Sequence, residues 1–374
     1  MMKQNKQNHL SSAATVNLGA YYTNTKHIQI VQNIISTVVE PNSIILDNAC
    51  GYGGFLTNNK NEIGCDIDPI AVKQAIASNP NCNILQVNAL YQTSRKQFNI
   101  SEQSHLIVIG NPPYNDRTSQ IRKTIKNEKP IIDDDLKTRD LGISFLRSYD
   151  KLKADWVCVL HPLSYLLKRT NFNQLGSFSK NYSLKIAKVF SSAEFPDNSK
   201  ISPFPIVIAL YKREKGMSYD QVCKFRFEES KIDFAVNDFL YLENFVNKYP
   251  RKIEKEDFDG ISFYTMRDIN ALKRNQTFLF KSVKNSVPIS KNQIYHYVYA
   301  DVFKRFASHV PYYFSNSNIM IDDKLYQKYH KYFLQNSLSY HPQLINYLPQ
   351  SNVIDNADDK ILEYFKKLLG KHFV

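Results

Sequence analysis

The tetrapeptide Asn111-Pro112-Pro113-Tyr114 combines residue types that could hold a planar group carrying an amine. It follows an apolar run, residues 106–110, that is typical of a buried strand. The two prolines cannot donate backbone hydrogen bonds, so the strand must end there, and their restricted φ makes its exit rigid. An amide oxygen, a free proline carbonyl and an aromatic ring then meet at a strand end. A purely structural turn is the alternative interpretation.

The chemistry that suits these groups is attack by an aromatic amine. An exocyclic amine on a base such as adenine is a poor nucleophile, because its lone pair is delocalised into the ring. Two acceptors aimed at its two N–H bonds favour the pyramidal form, in which the lone pair becomes available. The Asn111 side-chain oxygen and the Pro112 carbonyl could be those acceptors, while Tyr114 stacks on the ring.

Alternating strands and helices are predicted to position the tetrapeptide. Strands are expected at 43–47, 62–68, 83–88, 105–110, 156–160 and 207–211. Helices are expected at 26–40, 69–78 and 141–153, and residues 48–56 are expected to form a glycine turn that leads into a further helix. This alternation predicts an α/β fold with a doubly wound, mostly parallel sheet. In such sheets, ligands bind at the carboxyl ends of the strands, where the tetrapeptide lies.

The glycine turn, residues 51–54 (GYGG), permits positive φ and close approach of a ligand. The dinucleotide pattern G-x-G-x-x-G fails at its third glycine, where Leu56 stands, and no phosphate-loop G-K-[ST] follows. A ligand with a ribose but no phosphate suits the turn better. Asp66 and Asp68 could accept hydrogen bonds from ribose hydroxyls, and Asp47 could meet an ammonium. S-adenosylmethionine carries both kinds of group.

The composition is typical of an intracellular enzyme that meets nucleic acid. The net charge of +13 is uneven: residues 1–150 hold 15 Lys and Arg against 13 Asp and Glu, and residues 151–374 hold 33 against 22. The second part would attract a polyanion, although a lysine-rich surface without such a partner is the alternative. Five cysteines without C-x-x-C spacing argue against a disulfide framework, and no metal site is expected. No apolar window predicts a membrane span and no secretory signal is evident, so the cytoplasm is the expected location.

The ordered motifs resemble those of the gamma-class N6-adenine DNA methyltransferases of type II restriction–modification systems. Residues 19–24 (GAYYTN) resemble G-x-x-[YE]-T-P, and residues 47–53 (DNACGYG) resemble [DE]-P-A-x-G-x-G. Residues 64–69 (GCDIDP) match the acidic second strand, and residues 111–114 match N-P-P-Y. Residues 194–196 (EFP) resemble the element whose aromatic ring stacks on an extruded adenine.

The resemblance implies a role for each matched residue. The catalytic residues would be Asn111, Pro112, Pro113, Tyr114 and Phe195, the last two enclosing the flipped base. The cofactor, S-adenosylmethionine, would be bound by Tyr21, Thr23, Asp47, Ala49, Gly51, Asp66, Ile67, Asn88, Ala89 and Asn111.

Three residues depart from the family pattern. Asn24 and Asn48 stand where the family usually has proline, which loosens two turns without removing contacts. Asn88 stands where an aspartate commonly meets the adenine amine of the cofactor, and its amide oxygen can still accept that hydrogen bond.

The resemblance also implies a domain organisation. Residues 1–16 would be a flexible polar tail, residues 17–213 the methyltransferase domain, and residues 214–374 a smaller α+β domain for DNA target recognition. The interleaved aromatic and basic residues of this C-terminal domain suit phosphate contacts and base stacking. The alternative is that the aromatic rings form the core of the domain. A charge-rich segment, residues 116–139, is expected to close over DNA and to be mobile without it.

The implied activity is methylation of adenine N6 in a specific double-stranded DNA sequence, as the modification half of a restriction–modification system. The methyl group would pass directly from the sulfonium to the amine. Double-stranded DNA is the expected partner, a cognate restriction endonuclease acting on the same site is a second, and a monomer suffices. Alternatives are an RNA adenine or a protein glutamine as the acceptor, or a non-catalytic DNA-binding protein.

Overall fold

The computed structural model describes residues 23–114, 131–195, 203–250, 257–281, 283, 285–348 and 356–374. The chain divides into two compact units, Met1–Val236 and Asn237–Val374. The boundary predicted from the sequence lies earlier, at residue 214. The assignment of one part to catalysis and the other to DNA recognition stays a prediction.

The first unit is built on one sheet. Its strands are β1 (Ile44–Asp47), β2 (Glu62–Asp66), β3 (Asn83–Gln86), β4 (Leu106–Gly110), β5 (Trp156–Pro162), β6 (Tyr182–Ser191), β7 (Pro205–Arg213), β8 (Phe227–Glu229) and β9 (Ile232–Phe234). They pair in the order β3-β2-β1-β4-β5-β7-β6-β8-β9. The first five of that order run parallel, and β7 runs antiparallel to both β5 and β6. The doubly wound, mostly parallel sheet of a Rossmann-like fold is thereby confirmed.

One helix precedes β1, and the others lie between later strands of the chain. The helices are α1 (Thr25–Ile35), α2 (Pro69–Ser78), α3 (Leu141–Lys151), α4 (Ser164–Leu167), α5 (Arg169–Gln174), α6 (Ser177–Asn181) and α7 (Tyr219–Lys224). The apolar stripe of α1 is buried at Val31, Ile34 and Ile35, as an amphipathic helix requires. In the centre of the sheet, every residue of β4 is buried, which agrees with its uninterrupted apolar sequence.

Two local predictions were wrong. Helix α1 ends at Ile35 rather than at residue 40, and the hydroxyls of Ser36 and Thr37 bond back to backbone carbonyls at 2.8 and 2.7 Å, a competition that disfavours further helix. Residues 51–55 form turns instead of starting a helix. Gly51 and Gly53 there adopt φ of +52° and +75°, outside the helical region.

The second unit is an α+β structure, as expected of the C-terminal part. Its strands are β10 (Leu240–Tyr241), β11 (Asp257–Tyr264), β12 (Phe278–Leu279), β13 (Ser286–Ser290) and β14 (Met320–Ile321), and its helices are α8 (Ile269–Arg274), α9 (Ile294–Phe306), α10 (Asp323–Tyr340) and α11 (Ala357–Leu369). The strands form sheets ordered β12-β11-β13 and β10-β14. Aromatic rings pack between the three long helices, among them Tyr299, Phe333 and Tyr364. Tyr297 and Phe303, which stand among the interleaved aromatic and basic residues of this part of the chain, are fully buried in this core.

Candidate active site

The carboxyl ends of β1, β2 and β4 lie at the same edge of the sheet, because these strands are parallel neighbours. The chain continues from β1 to β2 on one side and from β4 to β5 on the other. The junction of β1 and β4 is therefore a topological switch point, the usual place of a ligand in such sheets. Asp47 ends β1, Asp66 ends β2 and Asn111 follows β4, so the fold brings three predicted site residues to this edge.

The end of β4 approaches the carboxylate of Asp47 closely. Gly110 has φ of +133°, and a Cβ atom there would lie only 2.6 Å from Asp47 Oδ1. The Oδ1 atom accepts a hydrogen bond of 3.3 Å from the backbone N–H of Ala49, a half-buried residue. Oδ2 is buried without a hydrogen-bond partner among the described residues. Burial, together with the nearby Asp66 and Glu62 carboxylates, raises the pKa of Asp47 to about 8, so this carboxyl is mostly protonated at neutral pH.

The glycine turn is bound to the end of β2 through Asp66. The carboxylate accepts hydrogen bonds from the backbone N–H groups of Gly51, at 2.9 Å, and Asp68, at 3.0 Å. Burial raises the pKa of Asp66. The next side chain, Ile67, is 60% exposed, and an apolar side chain in that position can cover a ring face.

The predicted contact residues after β3 take part in a local turn. Asn88 Oδ1 accepts from the Leu90 N–H at 3.1 Å, and Asn88 Nδ2 donates to the Ile131 carbonyl at 2.8 Å. Ala89 is buried, and its carbonyl accepts a hydrogen bond of 2.8 Å from the Thr93 hydroxyl. The Asn88 oxygen therefore keeps one lone pair for a ligand, because an amide oxygen can accept two hydrogen bonds.

This turn also holds the end of the charge-rich segment. Asp133 accepts hydrogen bonds from the N–H groups of Gln92 and Thr93 at 2.8 and 3.0 Å, and from Lys151 Nζ at 2.9 Å. Burial would raise the pKa of Asp133, but these donors lower it. Asp133 therefore bonds this end of the segment to the turn after β3. Residues 115–130 lie outside the described part of the chain, and the closure of the segment over DNA stays a prediction.

The side-chain amide of Asn111 is oriented by Thr23. Its Nδ2 atom donates to the Thr23 hydroxyl oxygen at 3.1 Å, and Thr23 is buried. The amide oxygen consequently lies on the opposite side of the amide group. Pro112 is buried and Pro113 half-buried, as expected for a rigid exit from β4.

Tyr114, the last residue of the tetrapeptide, packs against the start of α3. A Cβ atom on Gly142 would lie 3.0 Å from Tyr114 Cβ and 2.5 Å from the Tyr165 hydroxyl. That hydroxyl donates to the Asp140 carboxylate, which also accepts from the Gly142 N–H at 3.0 Å. The Tyr114 side chain is only 5% exposed, so stacking on a base requires its ring to be uncovered.

Phe195 lies directly after a short 3₁₀ turn, Ser192–Glu194, that follows β6. Its ring is 2% exposed and meets Phe190 edge-to-face, with 5.6 Å between the ring centroids. Its N–H donates to the Ser192 carbonyl at 3.1 Å. In this structure the second predicted stacking ring is therefore also covered.

His161, near the end of β5, is a buried group that the sequence analysis missed. Its Nδ1 atom lies 3.0 Å from the Pro162 carbonyl, which can only accept, so Nδ1 carries the proton. Burial lowers the pKa of His161 to about 4, and the neutral ring accepts at Nε2 from the Tyr211 hydroxyl at 2.7 Å. The ring also stacks on Tyr165 with 5.3 Å between centroids. Tyr165 in turn contacts the start of α3 at Gly142, the residue against which Tyr114 packs. No local sequence signal marks this histidine.

Among the predicted cofactor contacts, Tyr21 lies outside the described residues. Within the described part of the chain, no group of three or more histidine, cysteine, aspartate or glutamate side chains is arranged to hold a metal ion. Nor does any helix in the described ranges have the length and apolar character needed to cross a membrane.

Neither a protein-family model nor a curated protein matches this sequence. Solved structures match part of it. A modification subunit attributed to a type I restriction enzyme of Vibrio vulnificus has 15% identity and a TM-score of 0.39 over 55% of this chain and 51% of its own. A type IIL restriction-modification enzyme in complex with DNA has 12% identity and a TM-score of 0.41 over 71% of this chain and 47% of its own. A TehB-like SAM-dependent methyltransferase of Corynebacterium glutamicum has 14% identity and a TM-score of 0.31 over 49% and 87%. This chain thus spans about half the length of the first two structures.

Proposed function

We propose that this protein transfers a methyl group from S-adenosylmethionine to N6 of a flipped adenine in a specific double-stranded DNA sequence, as the modification half of a restriction–modification system. The observation that carries the proposal is the position of Asn111. Its amide follows the central strand at the switch point and donates to Thr23. In that orientation the amide oxygen lies opposite Thr23, where in this proposal it accepts from the target amine once the base is bound.

The residues at this edge fit S-adenosylmethionine. The buried Oδ2 atom of Asp47 lacks a partner among the described residues, and a ligand ammonium would supply one. Asp66 binds two backbone N–H groups, and its oxygens retain lone pairs for ribose hydroxyls. The exposed Ile67 would cover a face of the adenine ring, and the free lone pair of Asn88 would meet its amine. When bound, the cofactor supplies an electrophilic methyl group on a sulfonium.

Catalysis in this proposal is positioning and polarisation by the chain itself. The Asn111 oxygen and the Pro112 carbonyl accept from the two N–H bonds of the target amine, which raises the availability of its lone pair. Tyr114 and Phe195 enclose the flipped base once their rings are uncovered. Since the carbonyls cannot donate, the arrangement selects an NH2 group over a ring carbonyl.

The proposed substrate is DNA because of the charge of the chain. Residues 151–374 hold 33 Lys and Arg against 22 Asp and Glu, and such an excess attracts a phosphate backbone. We assign target recognition to residues 214–374 and expect a cognate endonuclease to act on the same DNA sequence.

The deciding experiment combines the protein with radiolabelled cofactor and, separately, unmethylated high-complexity duplex DNA, tRNA, ribosomal RNA or bacterial lysate protein. Label in duplex DNA that is recovered as N6-methyl-2′-deoxyadenosine after nuclease and phosphatase digestion would support the proposal. Label recovered as a methylated cytosine, or only in RNA or protein, would overturn the acceptor.

The variant Asn111→Ala connects that activity to the site. It should lose label transfer while retaining most of its affinity for the cofactor, because the amide acts mainly on the target amine. Asn33→Ala on the exposed face of α1 is a matched control and should retain activity. Equal activity of the two variants would remove Asn111 from the mechanism.

A further inference from the structure

One carboxylate, that of Glu194, joins the start of α1 to the segment before Phe195. Its Oε2 atom lies 3.2 Å from Lys26 Nζ and 3.3 Å from His27 Nε2, the latter within ion-pair distance but without hydrogen-bond alignment. In addition, Asn24 Nδ2 donates to the backbone carbonyl of Glu194 at 3.2 Å. Three residues at the start of α1, at positions 24, 26 and 27, therefore contact one residue that follows β6.

Aromatic rings also connect α1 to Phe195. The His27 ring is 1% exposed and stacks on Phe190, with 3.7 Å between centroids and 23° between planes. Phe190 in turn meets Phe195 edge-to-face. The segment of Phe195 is thus held at two points, by the hydrogen bond to the Glu194 carbonyl and by the stacked rings of His27 and Phe190.

The same short stretch of chain also orients Asn111. Thr23, which accepts from the Asn111 amide, is the residue next to Asn24. Asn24 Oδ1 caps α1 by accepting from the His27 N–H at 3.0 Å. Both polar atoms of the Asn24 amide are therefore hydrogen-bonded: the oxygen fixes the start of the helix, and Nδ2 donates to the Glu194 carbonyl.

We propose that Asn24 and His27 are positioning residues, which hold Glu194 and Phe195 in register with Thr23 and Asn111. The inference rests on the proposed function. In that reaction, the amine must lie at the Asn111 oxygen while the base lies against Phe195, so the two halves of the site must be fixed relative to each other. A proline at position 24 would have no donor for Glu194, which gives the asparagine here a role that proline cannot fill.

Of the three links, the one from Asn24 matters most. The Lys26 side chain is 69% exposed, and an ion pair so exposed contributes little. By contrast, the Asn24 amide is directed at a backbone carbonyl and fixes the main chain itself. A substitution that removes this donor but retains the helix cap isolates the link.

The variant Asn24→Asp meets that need, because a carboxylate still accepts from the His27 N–H but repels the Glu194 carbonyl. Asn33→Asp is the matched control on the same helix. Asn33 Oδ1 is also an acceptor, from Gln29 Nε2 at 3.1 Å, so the chemical change is the same at an exposed position. A second variant, His27→Phe, keeps the stacked ring and loses the contact with Glu194.

Two measurements test the proposal on the full chain. The first is steady-state methyl transfer to unmethylated duplex DNA. Asn24→Asp should lower kcat about fivefold, the loss expected for one hydrogen bond, with a change in cofactor KM of less than about twofold. The second is hydrogen exchange of the Phe195 amide, which is bonded to Ser192 and should exchange faster in Asn24→Asp. His27→Phe should follow in the same direction, and Asn33→Asp should match the wild type.

The outcomes separate this inference from the proposed function. If the wild-type protein labels DNA and Asn24→Asp equals Asn33→Asp in kcat, the positioning role is overturned while the activity stands. A cofactor KM that rises in step with the loss of kcat would also overturn it, because the defect would then lie at the cofactor. If the wild-type protein labels no DNA, the proposed function fails and the positioning role with it.

Discussion

Asn111 Nδ2 donates a hydrogen bond of 3.1 Å to the hydroxyl oxygen of Thr23, a residue 88 positions earlier in the chain. The contact decides which way the amide faces, because an amide whose NH2 is bound presents its oxygen on the opposite side. Thr23, which the resemblance assigns to cofactor binding, thus orients Asn111, which the resemblance assigns to the target amine.

Replacing Thr23 by valine tests this orientation. The variant Thr23→Val keeps the shape and removes the acceptor, so the part-buried Asn111 amide loses this hydrogen bond at a cost on the order of 1–3 kcal/mol. We expect kcat for methyl transfer to fall about tenfold, since 1.4 kcal/mol corresponds to a factor of ten. Thr23→Ser retains the hydroxyl and should stay near the wild type. Equal rates for the two variants would contradict the assignment.

The close approach of Gly110 to Asp47 predicts that no side chain is tolerated there. In Gly110→Ala, the new Cβ atom would lie 2.6 Å from Asp47 Oδ1 at a φ of +133°. Gly176→Ala is the control: its φ of +61° is also positive, but the nearest atom, at 3.3 Å, belongs to the flexible end of Arg147. We expect urea unfolding to show Gly110→Ala less stable than the control by about 2 kcal/mol. Equal stabilities would mean that Asp47 can move away.

The ends of β1, β2 and β4 were predictable from sequence because their signals are local. An apolar run followed by Asp47, Asp66 or the Asn111 tetrapeptide marks both the strand and its exit. The parallel strands β1 to β5 were predicted for the same reason. Strand β6 was missed, although its ten residues form the longest strand of the sheet.

Contacts between distant segments could not be predicted. Asn24 has the sequence signal of a helix cap, but nothing local indicates that its other end reaches Glu194, 170 positions later. Burial of Tyr114 and Phe195 likewise depends on elements far along the chain, such as the start of α3. Whether these rings stack on a base stays a prediction.

Cofactor binding should release a proton from Asp47. Burial raises the pKa of this carboxyl to about 8, so near pH 7 it is mostly protonated without ligand, while an ammonium beside it favours the ionised form. Calorimetric titration with S-adenosylmethionine in buffers of different ionisation enthalpy should give a release approaching one proton at pH 7. Affinity should accordingly rise with pH between 6 and 8. Asp47→Asn should remove the buffer dependence, and a wild-type enthalpy that is the same in all buffers would contradict the prediction.

Asp301 in the second unit is predicted to be a determinant of stability rather than of DNA binding. It is 1% exposed on α9, and its oxygens accept from Arg305 Nη2 at 2.7 Å and contact His341 Nε2 at 3.0 Å. Burial would raise the pKa of Asp301, but these partners lower it to about 2. Because the pKa is lower in the folded than in the unfolded state, the stabilisation is present above about pH 4 and is lost as the pH falls toward 2.

The variant Asp301→Asn should reduce the free energy of unfolding at pH 7 by about 3–5 kcal/mol, since it leaves Arg305 without its buried partner. The control is Glu363→Gln on α11. The pKa of Glu363 is likewise lowered to about 2, by Lys367 and Lys360, but solvent screens this ion pair, so stability should hardly change. Urea unfolding of the full chain, followed by circular dichroism, measures both variants. If Asp301→Asn unfolds like the wild type yet binds DNA more weakly or more tightly, Arg305 belongs to the nucleic-acid surface. The aromatic and basic residues 303–306 (FKRF) at the end of α9 would then be a DNA contact region.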